Sequence, residues 1–455
     1  MSQTTRCTVL LAMVFAGMQM CMATSKVKLR GYVTSRPTAE TLFILEDAIQ
    51  ISPSTHFDLQ NSAAAGAKPL TLPDLSTGTL IEVEGRWTER HRFSAEKITC
   101  DAEQFEREIH GHAYLQTEPG EAAAIAADQA ARLKADGETL LIEDRTKRSW
   151  KPVDSELSAP NTVPRFVGDE IRYTGVRGTD GDITLNHIEL AARPPASAYR
   201  IPGDRRFIRA HDPQTNIDVL ELRKGDKLEG RLKLFDVKEV QEYVKNLGVK
   251  LLPSSADVTA RALEFRFYVV EDPSINASAL PDGTVLVNTG LLGAVENESQ
   301  LAFVLSHEIA HVLQAHHWRE ANDTRASRVA IIVAAVAGSY FIGDLGMFLG
   351  QLGMSAVVNG YSRKIENQAD RLGLQNVVDQ GYDPRSAVQF FHIMVDRYGR
   401  SSSAIWSDHD SNLLRGSFLT VQLARQYPKG QFDHAVIDTE AFKKMKDAMG
   451  PVKIL

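Results

Sequence analysis

Five consecutive residues, His307-Glu308-Ile309-Ala310-His311, constrain this chain more than any other feature. They lie within Asn297 to His317, where Leu301, Phe303, Val304, Leu305, Ile309, Ala310, Val312 and Leu313 flank them with apolar bulk. The pattern predicts a buried helix, opened by Asn297 as N-cap with Glu298 in the first turn. Residues four apart on a helix share a face. His307 and His311 can therefore present ring nitrogens to a single zinc ion at about 2.0–2.1 Å. Burying two histidines and a glutamate with no cation would leave costly unpaired polar groups. Glu308 stands beside the pair as a base: a metal that lowers a water's pKa from about 15.7 to about 7 lets a carboxylate take its proton near neutrality.

A catalytic zinc needs a third protein ligand. The best candidate is Glu366, in Ser362-Arg363-Lys364-Ile365-Glu366-Asn367-Gln368-Ala369-Asp370, a segment that also reads as helix and stops at Gly381-Tyr382-Asp383-Pro384. Asp370 falls one turn beyond Glu366 on the same face. It can accept a hydrogen bond from the far nitrogen of a ligand histidine and so set the ring's orientation. His316 and His317 lie five and six residues past His311, more than one turn away, and read as a polar helix end.

The pair His-Glu-x-x-His and Glu-x-x-x-Asp, with these flanks, resembles the gluzincin metallopeptidases of peptidase family M48, which include HtpX-type quality-control proteases and CAAX prenyl endopeptidases. The resemblance spans roughly residues 236 to 445. It implies one zinc ion (Zn2+) per chain, a polypeptide substrate, and a zincin-type, mainly helical catalytic domain with a short mixed sheet. It also implies that Asn276, Ala277, Ser278 and Ala279 form the edge strand that pairs with substrate. His409 and Arg415 match a histidine and an arginine that the family carries six residues apart. By that likeness they would stabilise the oxyanion, worth about 2.7–4 kcal/mol per donor. Asp410 stands where the family usually has proline, and a metal-bound, inactive position for His409 is the alternative.

The chain's start reads differently. Residues 1–23 hold one charged side chain, Arg6, followed by an apolar run that ends in Cys21-Met22-Ala23, and are expected to be a signal peptide cut near Ala23. Of the 3 cysteines, Cys7 and Cys21 would leave with it, so no disulfide framework is expected around Cys100. A periplasmic or secreted location follows as the expectation, with membrane association as a further option. The net charge of −7 argues against nucleic-acid binding, which needs a basic footprint.

Residues 27 to about 192 read as short strands with period-two alternation. Gly78 to Gly85 aligns with Gly168 to Gly175, and the stretch around Gly31 with that around Gly111, giving a faint repeat of two small barrel-like modules. Glu121 to Asp136 is Ala-rich and predicts a helix inserted in the second copy. The overall expectation is an α+β chain: module 1 at 24–106, module 2 at 107–192, a linker at 193–215, and the peptidase domain at 216–455. Between the two ligand segments, 329–362 is apolar and holds six glycines, with Asp344 its one charged residue before Arg363. It predicts a lid or hairpin packed beside the cleft or grazing a membrane surface. The function expected is an endopeptidase acting on misfolded or misassembled envelope proteins. The alternative is an envelope scaffold in which 24–192 bind glycan or a protein partner and the peptidase domain acts as a chaperone.

Overall fold

The computed structural model describes residues 26–36, 38–61, 69–102, 109–114, 130–135, 138–149, 170–178, 182–192, 194–253, 263–323, 361–399, 411–427 and 432–454. The segment expected as a signal peptide, nearly all of 329–362, and His409 lie outside the described residues. Among the described residues no helix is long and apolar enough to cross a membrane. The chain divides into two compact units, residues 1–106 with 413–421 and residues 107–412 with 422–455.

In the first unit, alternating apolar residues build β1 (Val27–Tyr32), β2 (Thr41–Ile44), β3 (Asp47–Gln50), β4 (His56–Gln60), β5 (Leu80–Glu89) and β6 (Arg92–Asp101). They make one sheet in the order β1-β5-β6-β3-β2, with β4 on β6. Leu29, Ile81, Val83, Phe93 and Ile98 fill the buried face. The ladder between β5 and β6 bulges at Gly85, where a Cβ would lie 2.0 Å from the Ser94 carbonyl oxygen. Only glycine fits so close an approach.

The second unit opens with β7 (Ile109–Tyr114), β8 (Ala131–Ala135), β9 (Glu138–Ile142), β10 (Lys147–Ser149), β11 (Glu170–Arg177) and β12 (Ile183–Ala192). Their order is β7-β11-β12-β9-β8, with β10 on β12, which repeats the topology of the first sheet strand for strand. The bulge recurs at Gly175. Thr55 donates to the Ala95 carbonyl at 2.8 Å, and Thr146 donates to the Leu185 carbonyl at 2.8 Å in the matching place.

Two expectations change here. Neither sheet closes into a barrel among the described strands: β2, four residues long, meets the chain after β1 only through the bridge Ser35–Phe43. The Ala-rich stretch ends as strand β8 at Ala131–Ala135, not as helix, because Leu133 and Ala135 are buried in the sheet's core. Cross-strand packing outweighs helix propensity there.

Residues 193–215 carry a 3₁₀ turn at Ala196–Tyr199 and then strand β13 (Arg205–Asp212). With β14 (Ile217–Lys224) and β15 (Lys227–Lys233) it forms an antiparallel meander in a region expected to be mainly helical. Asn216 and Gly225, both with positive φ, make its turns. Helix α1 (Lys238–Lys250) follows, then β16 (Arg266–Val270), β17 (Ala277–Ala279) and β18 (Thr284–Asn288). These three form a mixed sheet in the order β16-β18-β17. Phe207, Leu220, Leu222 and Leu232 pack with Val270, Leu280 and Leu286, fusing meander and mixed sheet into one core.

The remaining helices are α2 (Thr289–Ala294), α3 (Glu298–Leu313), α4 (His316–Asp323), α5 (Arg363–Asp379), α6 (Arg385–Tyr398), α7 (Asn412–Gln426) and α8 (Glu440–Met449). α3 is the centre of this unit, covered by α5, α6 and β17, with all 16 of its residues buried.

Candidate metal centre

A helix buried on every side must satisfy each polar side chain it carries. α3 does so at its N-terminal end and at Ser306. Asn297 caps it, its side chain accepting from the Gln300 N–H at 3.0 Å. Glu298 accepts from the hydroxyls of Tyr243 at 2.8 Å and Tyr382 at 2.5 Å, and from Thr439. Burial and the Glu298 carboxylate push both tyrosine hydroxyls well up, so they stay protonated as donors. Ser299 donates to the Asp383 carbonyl at 2.8 Å, and Ser306 accepts from Asn376 at 2.9 Å. Gly381-Tyr382-Asp383 thus anchors the start of the motif helix.

α5 crosses α3 closely because Gly373 lacks a side chain: a Cβ there would sit 3.2 Å from the His307 amide nitrogen. That approach brings Glu366 and Asp370, both fully buried, against the two histidines. The Nε2 atoms of His307 and His311 are 3.0 Å apart. Glu366 places Oε2 3.6 Å from His307 Nε2 and Oε1 3.6 Å from His311 Nε2. The three potential donor atoms lie within 4.8 Å of one another. Distances of 3.6 Å are long for hydrogen bonds. They suit atoms that share one cation, since tetrahedral zinc with bonds of about 2.05 Å has ligand atoms about 3.3 Å apart. Two imidazoles and one carboxylate are also the donor chemistry zinc prefers. The residues present therefore fit a small divalent metal.

The outer nitrogens of both rings are occupied. His307 Nδ1 lies 3.0 Å from Asp370 Oδ1. His311 Nδ1 lies 3.0 Å from His316 Nδ1, and His316 Nε2 lies 3.0 Å from Gln368 Oε1. Tyr361 stacks on the His311 ring with centroids 4.3 Å apart. The reading of His316 as part of a polar helix end is corrected: it is fully buried, and burial pushes its pKa down to about 3, keeping it neutral. Helical spacing failed because α3 and α4 are not one helix. Ala315 has φ +49 and turns the chain between them. No periodic signal marks an alanine for that conformation. Gln368 and Tyr361 carry no sequence pattern that marks them either, although Gln368 sits two residues past Glu366.

Glu308 is buried on α3 beside His307. β17 lies at the end of its sheet's order and packs on α3, with Ala277, Ser278 and Ala279 all buried. Asn276 accepts from the Asn288 N–H at 3.0 Å. Arg415 is buried on α7 within the stretch 413–421 of the first unit. His409 falls outside the described residues.

Comparison with known proteins agrees with this geometry. Residues 238–425 match Peptidase family M48, and residues 30–99 match a Domain of unknown function (DUF5666). The Beta-barrel assembly-enhancing protease of Escherichia coli (strain K12) is 31% identical over 196 residues, 40% of this chain and 39% of that protein. Mitochondrial metalloendopeptidase OMA1 of Schizosaccharomyces pombe is 34% identical over 143 residues, 31% of this chain and 41% of that protein. The chain thus spans well under half the length of the curated relatives it matches. Since the matched segment holds both histidines, the glutamate and the aspartate behind His307, residues 238–425 are a domain of peptidase family M48.

Proposed function

We propose that this chain is a zinc-dependent endopeptidase in which His307, His311 and Glu366 hold the metal in a zincin-type domain. The observation that carries this reading is the convergence of those three buried side chains within 4.8 Å, with Asp370 behind one of them. When bound, zinc supplies Lewis acidity that makes a water nucleophilic near neutral pH and polarises the scissile carbonyl.

The chain's own residues do the rest. A carboxylate oxygen of Glu308 takes the proton of the attacking water and passes it to the leaving amine. His409 and Arg415 donate to the oxyanion, each worth about 2.7–4 kcal/mol. Asn276, Ala277, Ser278 and Ala279 present an edge for strand addition, which reads backbone and tolerates varied side chains. Loose selectivity suits unfolded chains. Several relatives are named for β-barrel assembly, and the N-terminal residues 1–23 read as a signal peptide. We therefore place the activity on misfolded or misassembled envelope proteins, in the periplasm or secreted, with 24–106 and 107–192 as modules joined through 193–215 to the peptidase domain 216–455.

The test is cleavage of an unfolded model protein by the purified chain, with and without a chelator. Cleavage that stops with chelator and returns with zinc supports the proposal. Metal-independent cleavage, or none after zinc loading, sinks it.

A further inference from the structure

We infer that His316 and Gln368 form a relay that positions His311 to ligate the metal, making His316 a positioning residue outside the donor set. The inference rests on the proposed roles of His307, His311 and Glu366. It concerns residues that neither the motif nor the family likeness singled out.

The argument starts from the ring of His311. Its Nε2 faces His307 Nε2 at 3.0 Å and Glu366 Oε1 at 3.6 Å, so that edge points to the metal position. A metal needs the lone pair of Nε2, which places the proton of a neutral ring on Nδ1. Nδ1 must then donate, and the atom that receives is His316 Nδ1 at 3.0 Å. With Nδ1 accepting, neutral His316 carries its own proton on Nε2. That proton points at Gln368 Oε1, an acceptor, at 3.0 Å. Every step has one donor and one acceptor.

The reverse arrangement fails. If His316 donated from Nδ1, its bare Nε2 would need the Gln368 amide turned over, with the NH2 in place of the oxygen. It would also put the His311 proton on Nε2, where the metal must bind. With the Gln368 oxygen facing His316, the relay is complete only in the protonation state that offers the Nε2 lone pair. His307 has a carboxylate, Asp370, behind it. His311 has a neutral imidazole and an amide instead, so the two rings are oriented by chemically different partners. The link is also geometrically built. Ala315, at φ +49, ends the run of α3 so that His316 opens α4, and Gln368 comes from α5 beside the carboxylate ligand Glu366. The relay therefore ties together α3, α4 and α5 at the metal site.

Two near-isosteric replacements separate hydrogen bonding from packing. In His316→Asn the side-chain Oδ1 takes the place of Nδ1 and can accept. In His316→Leu the volume is similar and nothing accepts. Zinc affinity of the full chain is measured by competition with a chromophoric chelator, next to the melting temperature of the metal-free proteins, with His311→Ala as the reference. His316→Leu is expected to lose about 10–100-fold in affinity, with His316→Asn recovering most of it and Gln368→Leu losing a smaller factor. Equal affinities for the Leu and Asn variants would overturn the relay while His311→Ala still weakens binding. Unchanged affinity in His311→Ala would overturn the ligand set itself. Should His316→Leu not fold, a Gln368→Leu variant that folds and binds as tightly as the parent overturns the relay.

Discussion

Asp370, one helical turn beyond Glu366, holds His307 from behind, its Oδ1 3.0 Å from Nδ1, with both side chains fully buried. A buried carboxylate on the outer nitrogen fixes ring orientation and raises ligand basicity. Asp370→Ala should weaken zinc binding by about 10–100-fold. Asp370→Asn, which keeps an acceptor but loses the charge, should fall between. Chelator competition measures both, and parent-like affinity in Asp370→Ala would remove this role.

Glu308 is assigned proton transfer and no ligation. Glu308→Gln should keep zinc within a few-fold of the parent yet lower kcat by about 10²–10⁴. Metal content and steady-state kinetics on one sample separate the two effects. A variant that binds zinc and cleaves as fast as the parent contradicts the assignment.

Metal removal should also soften the fold, because a bound ion stabilises only the state that holds it. At a free concentration 100 times Kd, zinc contributes about 2.7 kcal/mol. For a domain of this size the melting temperature should fall by about 5–10 °C on chelation and recover on zinc return. Scanning calorimetry on parent and His311→Ala gives the comparison, and the variant should show no zinc-dependent rise.

Ala315 occupies the left-handed region at φ +49. That conformation is strained for a side chain, and most strained for a β-branched one. Ala315→Gly should be neutral or slightly stabilising in thermal melts. Ala315→Val should destabilise by about 1–2 kcal/mol and weaken zinc binding, since the turn delivers His316. A Val variant that melts and binds like the parent would show that this turn does not set the site.

Cys100 is buried in the first sheet, and burial pushes its thiol from the ordinary 9.0 up to about 12. Folding favours the neutral thiol. Its contribution is present in full below pH 9 and is lost as pH climbs from 9.0 toward about 12, at about 1.4 kcal/mol per pH unit. With Cys7→Ser and Cys21→Ser in place, alkylation of the native chain at pH 8 should run about 1000-fold slower than after unfolding in urea. Comparable rates would place the thiol in water.

The chemistry of this protein is written locally, and its support is not. His307, Glu308 and His311 are legible because a four-residue spacing and an apolar context can be read along one helix. Asn297 as cap follows the same local logic, and so do the glycines at 85 and 175, which mark equivalent bulges in two sheets of equal strand order. Glu366 and Asp370 were legible as a pattern, but their meeting with the histidines depends on α5 crossing α3 at Gly373, a contact between segments far apart in the chain. The meander β13 to β15 was hidden because its apolar faces are completed by Val270, Leu280 and Leu286 from another sheet. Ala131 to Ala135 reads as helix by composition and is strand by its neighbours. His316 shows the divide most sharply. Counted along a helix it points away from the metal, yet one residue with positive φ breaks the helix and His316 sets its ring against His311. Periodicity records which side of a regular element a residue takes. It holds no information about the angle at which elements meet or the irregular residue that joins them, because those are settled by packing between distant parts of the chain.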